Sequence, residues 1–440
     1  MVADPSLILI APLALIVLGL AIWFAHTKQT AFMIGVITVA ALESSRDFGL
    51  SKQSSNNFIS ASGTLFSAGP IQIKTADVVS LLCIVCAGIR LREWRVGSLP
   101  TAGFAFLATV TVTGLLLWTK SKGVQEATAQ WREWITPLSV FAYAVTRPRD
   151  WGQRDLRLFG WIGLFAVGLL VLETGLYGFN AGASQTVQRG TEAVNGRAIG
   201  PAAAMIMLIS GWLLSLLPVA STGKRFQRLA AGACFAGVVI AQQRTVWTAL
   251  LVSAGVWVLL KVIDQREDLV ARAFRAMPLG LIAAGGIIVA YVTSPAIRNS
   301  ASDSSSLAWR QHRWEISLST PRSVLDWLAG LSFGPREYID GIARVGEHSA
   351  HSFYLASIES VGLLGLLAAL LMVLGSLLVP LKAPEATLSI TLAAAILASG
   401  YSYDLQWVSF VYAGALGAMH ATRRRQSHKA VVSQRPAVSR

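Results

Sequence analysis

The sequence predicts an all-α polytopic membrane protein, and three observations carry that expectation. Of 440 residues, 54% are hydrophobic and only 14% are charged, with a mean hydropathy of +0.56; soluble chains of ordinary composition carry about 25% charge. Apolar runs near the length a bilayer requires recur along the whole chain. The surplus of Lys and Arg gathers in alternate connections. Too few polar side chains remain to coat a soluble enzyme, and a disordered or fibrous chain is excluded for the same reason. Fourteen Trp fit a membrane protein, since indole rings settle at the headgroup level.

Taken in order, the expected spans are 6–24, 30–43, 76–90, 101–119, 135–146, 157–177, 200–219, 228–241, 245–262, 276–293, 356–379, 387–400 and 405–420. The second, fifth and twelfth are short, so the count is 12 or 13. No Lys or Arg precedes residues 6–24, so a basic leader region is lacking and the run reads as a retained first span. The spans divide the chain into an N-terminal transmembrane bundle (1–293), a loop (294–355), C-terminal transmembrane helices (356–420) and a tail (421–440). Cys83, Cys86 and Cys234 all fall inside apolar runs, which leaves no disulfide framework for the loops. Cys83-x-x-Cys86 reads as packing within a span rather than as redox chemistry.

Charge sets the topology. The tail holds Arg423, Arg424, Arg425, Lys429, Arg435 and Arg440 and no acid, which makes it cytoplasmic by the positive-inside rule. Alternating backward from it puts 22 of the 37 Lys and Arg on the cytoplasmic side and the 294–355 loop outside. That loop balances six Arg against six acids. The net charge of +14 therefore needs no nucleic-acid partner. No internal repeat is evident, which gives an inverted-repeat transporter no support.

Three outer places carry chemistry, and each leads into a span: 189–201 with Arg197, the tight turn Gln242-Gln243-Arg244, and 347–354 with His348 and His351. Helix N-termini attract anions through free N–H groups and a partial positive charge. Arg197 and Arg244 add guanidinium forks suited to phosphate, with interfacial snorkelling as the plainer alternative. His351 precedes Ser352, an N-cap residue, and a helix N-terminus disfavours the cationic imidazole, as a general base requires. A loop histidine without function is the alternative. His348-x-x-His351 with Glu347 lacks a third evident ligand, so no metal is expected. Arg310 and Arg313 sit among Trp309 and Trp314 at helical spacing and read equally as contacts to a lipid-linked phosphate or to headgroups. Residues 327–335, with Gly330 and Gly334, read as an apolar turn that packs the loop down. Glu173 and Glu359, inside apolar runs, are candidate cavity-lining acids.

Several of these residues resemble the motifs of the bacterial O-antigen ligase and O-antigen polymerase family. His351-Ser352, then nine residues, then Gly362-Leu-Leu-Gly365 is similar to the ligase pattern, although Leu366 stands where Thr or Val is usual. Arg244 resembles the family's arginine at a helix start, with Thr248 in place of a common Leu. Arg197-Ala-Ile-Gly200-Pro201, Arg310-x-x-x-Trp314 and Gly330-Leu-Ser-Phe-Gly334 resemble further family stretches, and the likeness extends loosely over residues 70–420.

The resemblance implies a membrane glycosyltransferase of the GT-C type in the cytoplasmic (inner) membrane. Its donor would be a glycan on a polyprenyl diphosphate, usually undecaprenyl, and its acceptor a glycan or glycolipid hydroxyl. Transfer would be inverting, without metal or other cofactor. His351 would be the catalytic base; Arg197, Arg244, Arg310 and Arg313 would bind the diphosphate and substrate. Ligase and polymerase differ only in acceptor, and the histidine motif tips toward ligase. Two competitors come from other classes. A transporter or lipid flippase would string polar residues along several spans. A membrane scaffold would need neither His351 nor Arg244.

Overall fold

A computed structural model describes residues 5–43, 64–68, 71–121, 124–146, 153–177, 186–189, 192–195, 199–217, 223–264, 314–315, 318–319, 323–330, 338–340, 343–345, 352–377, 386–401 and 407–433. Helices dominate these residues. They are α1 (Pro5–Thr27), α2 (Gln29–Glu43), α3 (Thr75–Ile89), α4 (Ser98–Ser121), α5 (Val124–Val145), α6 (Gln153–Tyr177), α7 (Pro201–Leu216), α8 (Lys224–Ile240) and α9 (Arg244–Asp264), then a short α10 (Val324–Ala329), α11 (Phe353–Leu377), α12 (Ala386–Gly400) and α13 (Trp407–Ser433). Three antiparallel hairpins complete the set: β1 (Thr64–Ala68) with β2 (Ile71–Lys74), β3 (Thr186–Arg189) with β4 (Glu192–Asn195), and β5 (Tyr338–Asp340) with β6 (Ala343–Val345). All three hairpins fall in connections that the charge count assigns to the outer side.

Among the described residues four helical stretches are long and apolar enough to cross a membrane: Ser98–Leu116, Gln153–Gly175, Arg244–Lys261 and Phe353–Leu377. Five shorter apolar helices accompany them among the described residues. The chain is an all-α membrane protein. The expected span at 276–293 lies outside the described residues.

Most expected spans coincide with helices to within a few residues, and two do not. α5 begins at Val124, eleven residues before the apolar run at 135–146, because the Gln, Glu, Arg and Ala of that stretch are good helix formers although the stretch as a whole is polar. α13 continues past residue 420 into the basic tail for the same reason.

The helices alternate in direction, and their end contacts respect the alternation. At one end, the Arg95 N–H donates to the Val145 carbonyl (2.9 Å), Thr30 donates to Asp155 (2.8 Å), and Tyr143 donates to the Ala25 carbonyl (2.5 Å). Buried Arg90 donates to the His26 carbonyl there and lies over the Tyr143 ring. At the other end, Arg132 Nε pairs with Asp77 Oδ1 at 2.7 Å, and the Lys74 N–H donates to Asp77 Oδ2 at 2.8 Å. Arg132 falls three positions before the apolar run at 135–146, in a stretch expected to connect two spans. It is instead a buried cation on α5.

Close helix crossings use small residues. A Cβ at Gly103 of α4 would strike the backbone of Ala368 on α11, and one at Gly163 of α6 would strike Ser210 of α7 and Cys234 of α8. Such contacts let backbones approach where the surrounding lipid supplies no hydrophobic drive.

One break interrupts this helical scheme. Gly362, inside α11, has φ 73° and ψ −178°, and Gly330, which ends α10, has φ 79° and ψ 173°. Both lie in a region open essentially to glycine alone. They face each other: a Cβ at Gly330 would lie 2.6 Å from the Gly362 nitrogen, and one at Gly362 would strike the Leu328 carbonyl. Of the apolar turn expected at 327–335, residues 327–329 are instead the end of α10 and 331–335 lie outside the described residues; Gly330 sits in the break of α11.

Asp77→Ala should lower stability by about 3 kcal/mol, because it removes the carboxylate that a buried guanidinium faces. Thermal unfolding in detergent measures it, and Asp77→Ala/Arg132→Leu should recover part of the loss. Gly362→Ala should cost about 2 kcal/mol or more from backbone strain alone, with the clash against Leu328 added; the same melting experiment reads it.

Candidate functional site

The turn between α8 and α9 is three residues long and tightly held. Gln242 adopts φ 55°, which reverses the chain, and Gln243 accepts from the N–H groups of Val246 (2.9 Å) and Trp247 (3.0 Å) as α9 begins. Arg244 is therefore the first residue of α9, and it is half-buried. The Trp247 indole N–H donates back to the Val238 carbonyl of α8 at 3.0 Å and closes the corner.

The Gln243 side chain reaches a second helix start. Its Nε2 donates to the Ile199 carbonyl at 2.7 Å, and both groups are buried. Ile199 directly precedes Gly200 and Pro201, where α7 begins with proline at its first position. One side-chain hydrogen bond thus stitches the start of α9 to the start of α7. Arg197 stands two residues before Ile199 in the sequence and lies outside the described residues.

Glu173 belongs to the same end. α6 and α7 run antiparallel, with Gly160 against Leu214 and Gly163 against Ser210. Continued at that spacing, the register sets Glu173 level with Pro201. Its side chain is 1% exposed. The expectation of a cavity-lining acid meets a carboxylate buried among helices at the level where α7 starts.

The third helix start is that of α11. Ser352 directly precedes it, buried, and its carbonyl accepts from the Ala356 N–H at 2.9 Å, as an N-cap residue's does. The Phe353 ring packs against Trp134 (6.3 Å) and Tyr354 (5.9 Å). The Tyr354 hydroxyl donates to the Leu397 carbonyl near the end of α12, at 2.6 Å, and Gly400 lies against Phe353 and Tyr354. α12 also packs along α9, so this helix links the α11 start to the helix that Arg244 opens. Glu359, 3% exposed, stands on α11 two turns into the helix. His351 lies outside the described residues.

The large loop touches this end through Trp314, whose ring packs edge-on against Tyr401 at 5.3 Å, just past the end of α12. Arg310 and Arg313 precede Trp314 in the sequence and lie outside the described residues. The structure therefore brings Arg244, Glu173 and Glu359 to the end of the bundle where α7, α9 and α11 begin. Among the described residues no three His, Cys, Asp or Glu side chains group as a metal site would require.

Electrostatically, three helix starts at one end present backbone N–H groups and partial positive charge. Arg244 adds a full positive charge, and Glu173 and Glu359 supply carboxylates of opposite sign in a poorly solvated setting. Such an end favours an anion over a cation.

No protein-family model and no curated protein matches this chain.

Replacing Gln243 by Leu should loosen the α7–α9 corner. It leaves the buried Ile199 carbonyl without its donor, at a cost of about 1–3 kcal/mol. Hydrogen exchange at Ile199–Ala204 and Val246–Trp247 should rise selectively, while exchange in α3 and α5 stays unchanged.

Proposed function

We propose that this chain is a membrane glycosyltransferase of the O-antigen ligase type. It moves a glycan from a polyprenyl-diphosphate carrier to an acceptor hydroxyl at the outer face of the cytoplasmic membrane. The observation that carries the reading is the Gln243–Ile199 bond, which joins the helix start bearing Arg244 to the one that Arg197 precedes in the sequence. Two arginine-bearing helix starts stitched together suit a diphosphate, whose charge grows as it leaves.

In this reading the chain has 12 or 13 spans in a GT-C-like arrangement, with the 294–355 loop outside and the C-terminus in the cytoplasm. The acceptor hydroxyl attacks the anomeric carbon, the bond to the diphosphate oxygen breaks, and the configuration inverts. His351 takes the hydroxyl proton. Arg197 and Arg244, with Arg310 and Arg313 from the loop, neutralise charge developing on the departing diphosphate, and interactions that strengthen in the transition state raise the rate. Glu173 and Glu359 would line the cavity at this end. The partners are the lipid-linked donor, a glycan or glycolipid acceptor and membrane lipid.

The motif around His351 favours a ligase, whose acceptor is a different glycolipid or glycoprotein. A polymerase would use another copy of the repeat unit and the same chemistry. A transporter accounts less well for buried acids gathered at one end.

The test is a glycan profile of a deletion strain complemented with wild type, His351→Ala or Arg244→Ala. Both variants should be made at normal levels, lose surface polysaccharide by tenfold or more, and accumulate lipid-linked glycan; a loss of that size corresponds to about 1.4 kcal/mol of transition-state stabilisation or more. Long chains on the lipid indicate a ligase and single repeats a polymerase. A normal profile from both variants overturns the proposal.

A further inference from the structure

The 294–355 loop, expected wholly outside the membrane, contains a short helix whose position argues otherwise. α10 ends at Gly330, and Gly330 sits against Gly362 and the Ser360 carbonyl of α11. Gly362 lies nine residues beyond Phe353, which at 1.5 Å per residue is about 13 Å along the helix. The apolar span formed by α11 begins at Phe353, which puts Phe353 near the outer edge of the hydrocarbon. The 25 residues of that span exceed a hydrocarbon layer of about 30 Å by several ångströms, so Gly362 sits about 10 Å inside the outer half-layer.

The aliphatic side chains of α10 suit that depth. Val324 and Leu325 are 77% and 70% exposed, and Leu328 is 40% exposed. The exposed apolar surface of α11 beside the Gly362 break is Leu363, Leu364 and Leu367, between 44% and 52% exposed. α11 is long and apolar enough to span, so these leucines face lipid chains, and α10 is docked beside them at Gly362. In a water-exposed loop, three large exposed aliphatics on six residues would be an aggregation liability.

The Asp326 carboxylate and the exposed Ser323 are a cost at this depth, and the cap they form reduces it. A segment in hydrocarbon must satisfy its own backbone. Ser323 Oγ accepts from the Asp326 N–H (3.1 Å), while Asp326 Oδ2 accepts from the Ser323 N–H (3.1 Å) and hydroxyl (2.8 Å). At the other end, the Gly330 N–H donates to the Asp326 carbonyl at 2.8 Å, and Gly330 itself is buried against α11.

We infer that residues 323–330 re-enter the bilayer: α10 is seated among the acyl chains of the outer half-layer, with Gly330 clasped at the Gly362 break and Val324, Leu325 and Leu328 turned to lipid. The large loop is anchored inside the membrane as well as above it. This conclusion is independent of the reaction the protein performs.

Nitroxide labels at Val324→Cys and Leu325→Cys test it in full-length protein reconstituted in phosphatidylethanolamine–phosphatidylglycerol vesicles. Both positions are exposed, so no packing is lost, and the native Cys83, Cys86 and Cys234 are buried from the reagent. Leu367→Cys serves as the hydrocarbon reference and exposed Glu315→Cys as the aqueous one. Collisions with oxygen should exceed those with a water-soluble nickel chelate at 324 and 325, as at 367, and the order should reverse at 315. Nickel-dominated collisions at both 324 and 325 overturn the inference. So does shielding of both labels from either reagent, which would mean that another protein surface covers α10.

Discussion

A bilayer interior holds no water, so every backbone N–H and carbonyl at that depth needs a partner within the protein. Regular helix meets the requirement automatically. Departures from helix are admitted only where protein encloses them. The Gly330–Gly362 contact is such a departure: two backbones in glycine-only conformations, clasped so closely that neither position has room for a Cβ. Because α11 is broken there, its first two turns, with Ser352 before them and Glu359 within them, can settle independently of the longer segment below. The same contact fixes where the large loop returns to the bundle.

The end of the bundle where α7, α9 and α11 begin obeys the same constraint by other means. There the chain must turn, and the groups left over by the turns are met by side chains: Gln243 for the Ile199 carbonyl, Trp247 for Val238, Tyr354 for Leu397. Each of these donors belongs to the first turn of a helix or directly precedes it. Fastening the turns also gathers the helix starts, and gathered starts concentrate positive potential. Positive potential at this end is thus partly a by-product of satisfying backbone in a poorly solvated place. Arg244 adds full charge to a field already present.

How much of this was legible differs by element. Hydropathy located α6, α9 and α11 closely, since long runs of Leu, Val, Ile and Phe have no other stable setting. It missed the first eleven residues of α5, where helix propensity rather than apolarity extends the element, and with them Arg132. Arg244 was readable as a helix start because Gln242-Gln243 is too short for anything but a turn. Its tie to Ile199 was not, since the two lie 44 residues apart and neither carries a charge to suggest pairing. Gly330 and Gly362 each read as a weak signal, and only their apposition gives them a reason. His351, Arg197, Arg310 and Arg313 remain expectations from sequence.

The distribution of buried ionisable groups bears on which class of function fits. Among the described residues two acids are fully buried, Glu173 and Glu359, and both stand within about two turns of the end where α7 and α11 start. A carrier that moves an ion or a polar lipid headgroup across the membrane needs polar stations at several depths. Here the buried cation at the opposite end, Arg90, is engaged with the His26 carbonyl and the Tyr143 ring. Ser389 and His420, 2.9 Å apart, link α12 to α13 within the half of the bundle near that end. These contacts join helix to helix and read as packing. Acids near one membrane face, beside helix starts that favour an anion, suit chemistry performed at that face better than passage through the bundle.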